Sequence, residues 1–223
     1  MSAAVLTAAS TLSNCNNSSI ETKSKGKYMG DFSAPKLETI RTAFIGVGAR
    51  GSGHVKSISK LEGVEVVAIS DLFEDNVLRS RKASEEIGNG ERHNNIAQYW
   101  GGNDKWKLML EEVKPDAVFI STNWNNHAPM AIQTMKSGGH AFVEVPIAVS
   151  LDEMWKIVNV SEETQKHCMM MENVNYGRVE LMYLNMCRKG VIGELLHAEA
   201  SYIHELRFQM KQENRGTGSW RTY

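Results

Sequence analysis

The 223-residue chain exceeds one average domain and has room for one and a half to two. With 42% hydrophobic and 23% charged residues it is ordinary globular sequence, which excludes general disorder. A net charge of −1 gives no electrostatic case for nucleic acid or an anionic membrane, and leaves a small molecule as the expected partner.

The first forty residues stand apart. Met1 to Asn14 is small and weakly apolar, and a Ser/Asn/Lys-rich tract follows to about Lys36. No segment reaches the roughly 20 apolar residues that span a bilayer. Leu12-Ser13-Asn14-Cys15 resembles a bacterial lipoprotein cleavage box with Cys15 as the acylated residue, although Asn14 and the lack of a basic leader count against it. Two readings stay open: an exported or lipid-anchored bacterial protein with a clipped signal, and a cytoplasmic protein with a disordered tail. The three cysteines, Cys15, Cys168 and Cys187, form no CxxC pair, so free thiols and no metal site are expected.

From Arg41 strands and helices alternate. Arg41 to Gly48 is a short apolar run ending in glycines, as a buried parallel strand should be. Ser52 to Leu61 carries Val55, Ile58 and Leu61 at helical spacing, Val64 to Asp71 is a β-branched strand stopped by an acid, and Phe73 to Ile87 is a helix. Lys105 to Val113 is a short helix before Pro115, Asp116 to Thr122 a strand, Ala128 to Lys136 a helix, and His140 to Val145 a strand closed by Pro146. Ser150 and Glu153 form a capping box for a helix through Lys166, and Cys168 to Asn175 is a further strand. Strands separated by helices of this length predict right-handed βαβ units on a parallel sheet with helices on both faces.

After Tyr176 the rhythm changes. Val179 to Arg188 reads as a helix, and Leu195 to Glu205 as a longer, more polar strand opening a mostly antiparallel sheet. The expected organisation is therefore a tail over 1–40, a Rossmann-type domain over 41–175, and the start of an incomplete α+β domain over 176–223.

The chemistry lies first in Gly46-Val47-Gly48-Ala49-Arg50-Gly51. This GxGxxG follows a predicted strand and opens a predicted helix, and Asp71 ends the next strand 20 residues after Gly51. Gly46 permits a tight turn, Gly48 lets the backbone approach a pyrophosphate, and Gly51 lets helix and strand pack closely. Asp71 is suited to both adenosine ribose hydroxyls and would repel a 2′-phosphate, which favours NAD over NADP. Three other strand ends carry polar groups: Asn123 to His127, Glu144-Val145-Pro146, and Asn173, Asn175 and Tyr176. Trp124 is suited to stacking on the cofactor and His127 to hydrogen bonding, or alternatively to capping the helix that follows. On the last strand, alternation puts Tyr202 and His204 on one face with Ala198 and Ala200. His93, His140 and His167 have no such placing and read as surface or packing residues.

The order GVGARGSGH, ISD, STNWNNHAP, AFVEVP, MMMENVNYGR, HELRFQ and GTGSWRTY closely resembles the Gfo/Idh/MocA oxidoreductase-like superfamily, and within it glycoside hydrolase family 109. That resemblance implies an NAD-dependent α-N-acetylgalactosaminidase acting on glycans with terminal N-acetylgalactosamine. The implied route is redox elimination: hydride leaves C3 of the sugar for tightly held NAD, a base takes the C2 proton, and the glycosidic oxygen departs. Water then adds and the hydride returns. By matching position, Ala49, Arg50, Asp71, Trp124, Asn125, Asn126, His127, Glu144, Val145 and Asn173 line the cofactor. Tyr202 and Arg221 contact the sugar, and Tyr176 is the catalytic candidate. Sugar dehydrogenases of the superfamily typically carry Glu-Lys-Pro where this chain has Glu144-Val145-Pro146. The resemblance also implies that the chain is an amino-terminal fragment with apolar surface exposed. A sugar or inositol-type dehydrogenase and an inactive NAD-binding fragment are the alternatives, and a homo-oligomer is left open.

Overall fold

The computed structural model describes residues 26–205 and 207. Six strands form one parallel sheet: β1 (Ile40–Ile45), β2 (Val64–Ser70), β3 (Ala97–Tyr99), β4 (Ala117–Ile120), β5 (His140–Glu144) and β6 (Cys168–Met171). Their order is β3-β2-β1-β4-β5-β6, so the direction of winding reverses between β1 and β4. Six helices connect and follow them: α1 (Gly51–Ile58), α2 (Glu74–Ile87), α3 (Lys105–Val113), α4 (Trp124–Lys136), α5 (Leu151–Thr164) and α6 (Arg178–Arg188).

Strand alternation sorts the core into two layers. Ala43 and Ile45 of β1, Val118 and Ile120 of β4, and Ala141 and Val143 of β5 pack against α3, α4 and α5. The intervening Phe44 and Phe119 face the other side, where α1 and α2 bring Val55 and Val77. Phe44, Phe119 and Phe142 stack in a row across three strands at centroid separations of 5.3 and 4.8 Å. On β2, Val66 and Ile69 share that face although they are three residues apart. The β1–β2 register slips by one residue at Thr42/Ala43, a bulge that restores the pattern.

The capping box at Ser150 forms as the sequence predicts. Ser150 Oγ accepts from the Glu153 N–H at 3.3 Å, and Glu153 reaches back to the Val149 N–H at 3.1 Å. Four features differ from expectation. The three-residue β3 is present where no strand was expected, because it is too short to carry a period. Helix α4 starts at Trp124 rather than Ala128, so the Trp-Asn-Asn-His run is its first turn and not a loop. Residues 26–32, expected to belong to a disordered tail, lie against the C-terminal end of α5. The Lys27 N–H donates to the Glu162 carbonyl at 3.2 Å, Gln165 Nε2 donates to the Lys27 carbonyl at 2.8 Å, and the Phe32 and His167 rings lie 5.1 Å apart.

The fourth is a correction. The antiparallel strand expected over Leu195 to Glu205 does not form, and among the described residues no strand follows β6. A strand holds only when a neighbour takes its N–H and C=O groups, and Leu196 (89% exposed) and Ile203 (94%) have no sheet to lie on. Helix α6 likewise buries no residue and exposes Leu181, Met182, Tyr183 and Leu184. Cys15 and Arg221 lie outside the described residues.

Candidate functional site

The carboxyl ends of β1, β2, β4 and β5 meet at the point where strand order reverses, which is where an open parallel sheet forms its ligand crevice. The glycine turn leaves β1 there. Gly46 has φ +82°, and a Cβ on it would come within 2.6 Å of the Ser121 carbonyl oxygen. A Cβ on Gly51 would overlap the Gly46 carbonyl oxygen, so the first turn of α1 closes directly over the end of β1. Around Gly48 the opposite holds: a Cβ would meet nothing within 4 Å. Two of the three glycines are demanded by the protein itself. The third faces open space, as a backbone must where phosphate approaches.

Helix α1 begins here without a side-chain cap and with no acidic residue in its first turn. Its dipole favours an anion at this end, although the Ser52 and Gly53 N–H groups already donate to the Gly48 and Arg50 carbonyls at 3.1 and 3.0 Å. Asp71, just past β2, is tied to the turn: its Oδ2 accepts from the Val47 N–H at 2.8 Å, while Oδ1 accepts from the Phe73 N–H at 3.0 Å and from Asn76 Nδ2 at 3.1 Å. Those three bonds occupy three of the roughly four lone-pair positions of a carboxylate, which leaves one position to accept from a ribose hydroxyl. Open space at Gly48, an uncapped helix end and a pre-oriented acid together fit a dinucleotide. Beyond Asp71, Gln98, Tyr99, Trp100 and Lys105 line an open cavity of about 280 Å³. Tyr99 lends its hydroxyl to Glu112 at 2.7 Å.

Glu144 ends β5 and is 7% exposed. Its Oε1 lies 2.6 Å from His54 Nε2 and 3.6 Å from Arg50 Nε, and its Oε2 accepts from the Val145 N–H at 3.3 Å. Burial alone would push this carboxyl up. The His54 hydrogen bond, the Arg50 charge and the Val145 N–H outweigh it and hold the group below the usual carboxylate value. Glu144 is therefore an anion set against the start of α1. His54 is the residue that sequence reasoning missed. It stands inside GVGARGSGH, four residues after Arg50 and so on the same helical face, but its partner is 90 residues away.

His127 is buried, and its ring lies between two carbonyl oxygens, Pro146 at 2.7 Å from Nδ1 and Thr122 at 3.1 Å from Nε2. It is no helix cap, since Asn123 precedes the helix. A neutral imidazole donates to only one of the two oxygens. Either way the ring ties the β4 end to the loop carrying the cis Val145–Pro146 bond. Trp124, Asn125 and Asn126 sit in the same first turn, with the two asparagines exposed. Asn173 and Tyr176 follow β6 and are exposed, Tyr176 at 77%. Tyr202 is exposed and donates to or accepts from His204 Nδ1 at 2.9 Å. These last three are not joined by any hydrogen bond to the cluster around Glu144 among the described residues. His93, by contrast, is a fully buried packing residue: Nδ1 accepts from the Val66 N–H at 3.0 Å and Nε2 faces the Ser59 carbonyl at 3.1 Å.

Residues 40–172 match the oxidoreductase family with the NAD-binding Rossmann fold known as Gfo/Idh/MocA. The chain belongs to that family. Residues 176–222 match the glycosyl hydrolase 109 C-terminal domain. It is 58% identical over 196 residues to glycosyl hydrolase family 109 protein 1 of Akkermansia muciniphila, covering 88% of this chain and 40% of that protein. It is 54% identical over 211 residues to an α-N-acetylgalactosaminidase of Shewanella oneidensis, covering 94% of this chain and 45% of that one. The chain thus spans less than half the length of these relatives. Among solved structures, scyllo-inositol dehydrogenase of Lactobacillus casei, holding NAD(H) and scyllo-inositol, shares the fold with a TM-score of 0.60 at 18% identity. That match covers 70% of this chain and 43% of the other.

Proposed function

We propose that this chain is the NAD-binding part, with the beginning of the substrate-binding part after residue 175, of an NAD-dependent α-N-acetylgalactosaminidase. The observation that carries the glycosidase reading is Val145. Sugar dehydrogenases of this superfamily typically carry a lysine after the corresponding glutamate, and the position after Glu144 offers an isopropyl group instead. The names of the two relatives described above favour the same side.

NAD would supply reversible hydride transfer at the sugar ring, with no net redox across a turnover. The chain's own residues do the binding and orienting. The open backbone at Gly48 and the uncapped start of α1 take the pyrophosphate, with the Arg50 guanidinium beside it. Asp71, held by Val47, Phe73 and Asn76, accepts from a ribose hydroxyl with its remaining position. The remaining cofactor-lining positions are Ala49, Trp124, Asn125, Asn126, Glu144, Val145 and Asn173, with His127 fixing the loops that carry them. Tyr176, Tyr202 and Arg221 are assigned to the sugar side, with Tyr176 as the proton-transfer candidate.

The test is hydrolysis of a chromogenic α-N-acetylgalactosaminide by a full-length version of the enzyme. Release without added NAD and without NADH accumulation supports the glycosidase. NADH accumulation with free sugar supports the dehydrogenase instead. NAD binding with neither reaction reduces the proposal to a nucleotide-binding unit.

A further inference from the structure

Glu144 Oε1 has two cationic or donor neighbours and serves them unequally. His54 Nε2 stands at 2.6 Å, a full hydrogen bond, whereas Arg50 Nε stands at 3.6 Å, beyond hydrogen-bond range. Arg50 stands at the N-cap of α1 and His54 one turn further along the same side of the helix. The groups facing the carboxylate are these two and the Val145 N–H, and no other ion pair to Glu144 occurs among the described residues. His54 takes the hydrogen-bonding position on Oε1, and Arg50 stays in ion-pair range of it at 3.6 Å with its side chain 61% exposed at the mouth of the helix.

We infer that His54 is a positioning residue: by holding the hydrogen-bonding position on Glu144 it keeps the Arg50 guanidinium from closing onto that carboxylate and available to the cofactor's pyrophosphate. The inference rests on the NAD reading above. Arginine forms bidentate pairs with carboxylate and with phosphate through the same fork of donors, so an unoccupied Glu144 competes directly with the cofactor for Arg50. Without His54, the guanidinium closes the remaining ångström onto Glu144 and is withdrawn from the anion site. A carboxylate in a phosphate-binding cleft is thereby made compatible with phosphate, through a residue that need not touch the cofactor.

The test is a set of NAD affinities measured by calorimetry on the whole chain, with thermal unfolding without NAD as a check on folding. His54→Ala should bind NAD about tenfold more weakly, the usual worth of one hydrogen bond to a charged group. His54→Gln, which keeps an N–H donor, should recover most of that loss. In a Glu144→Gln background, and equally in an Arg50→Ala background, the same His54→Ala change should cost less than about twofold, because the competition has been removed. Should His54→Ala fail to fold, His54→Phe keeps the ring volume without a donor and is read in the same backgrounds.

Equal NAD affinity in His54→Ala and the unmodified chain overturns the inference. So does a tenfold cost that persists when Arg50 is absent, since that would mean a direct repulsion by Glu144 or a purely structural role. Failure of the unmodified chain to bind NAD at all overturns the NAD reading itself, a separate result.

Discussion

Three glycines within six residues of one another should respond to the same added methyl group with three different outcomes. Gly51→Ala brings a Cβ onto the Gly46 carbonyl oxygen, a backbone atom that cannot rotate away, with Ser121 Cβ at 3.3 Å behind it. Overpacking of this kind costs about 1–3 kcal/mol, and the upper end applies where backbone must move. The helical preference for alanine returns up to about 1 kcal/mol. The balance is a loss of about 2 kcal/mol, or about 4–8 °C in Tm at this chain length. Gly53→Ala, two residues later in the same helix, meets nothing within 4 Å and should instead gain about 0.4–1 kcal/mol by reducing unfolded-chain entropy. Gly48→Ala also meets nothing within 4 Å, so its Tm should stay near that of the parent while NAD binding weakens about tenfold or more. Differential scanning calorimetry without ligand and NAD titration on the three variants give the whole pattern. A Gly51→Ala protein as stable as the parent would refute the packing argument. A Gly48→Ala protein that binds NAD normally would refute the assignment of open space to phosphate.

Asp71→Ala should abolish measurable NAD binding and also lower Tm, because the Val47 and Phe73 N–H groups and Asn76 lose an anionic acceptor. Each hydrogen bond to a charged group is worth about 1.5–3 kcal/mol, so unchanged stability would contradict the geometry. Burial pushes the Cys168 thiol up to about 12, so an iodoacetamide pulse at pH 8 should leave it unmodified in the native chain and label it after denaturation, as read by peptide mass spectrometry. His140 is held below its ordinary value of 6.5 by burial first and then by the Lys166 and His167 charges, against an opposing pull from Asp116. Its Nδ1 accepts the His167 N–H at 2.9 Å, a bond that protonation destroys. A depressed histidine value means the unfolded chain takes up protons first, so this stability is complete above 6.5 and is lost as pH falls through and below it. Asn in place of His140 should flatten the fall in Tm between neutral and mildly acidic pH, and an unchanged slope would count against His140.

The local chemistry of the chain was enough for the parallel sheet and the nucleotide turn. Hydrophobic runs closed by glycine or proline, a capping box at Ser150, and an acid 20 residues past Gly51 are nearest-neighbour signals, and local signals survive in a one-dimensional reading. What needed the fold were the long-range pairings. The three residues of β3 become a strand only because β2 offers them a ladder. Residues 26–32 are ordered only because the end of α5 accepts them. Leu195 to Glu205, which alternates like a strand, stays irregular, and among the described residues no neighbouring strand pairs with it. The glycine turn itself was legible from the start. That its arginine and a histidine one turn along meet one glutamate, 90 residues from the histidine, with the histidine the closer of the two, was decided by tertiary packing alone.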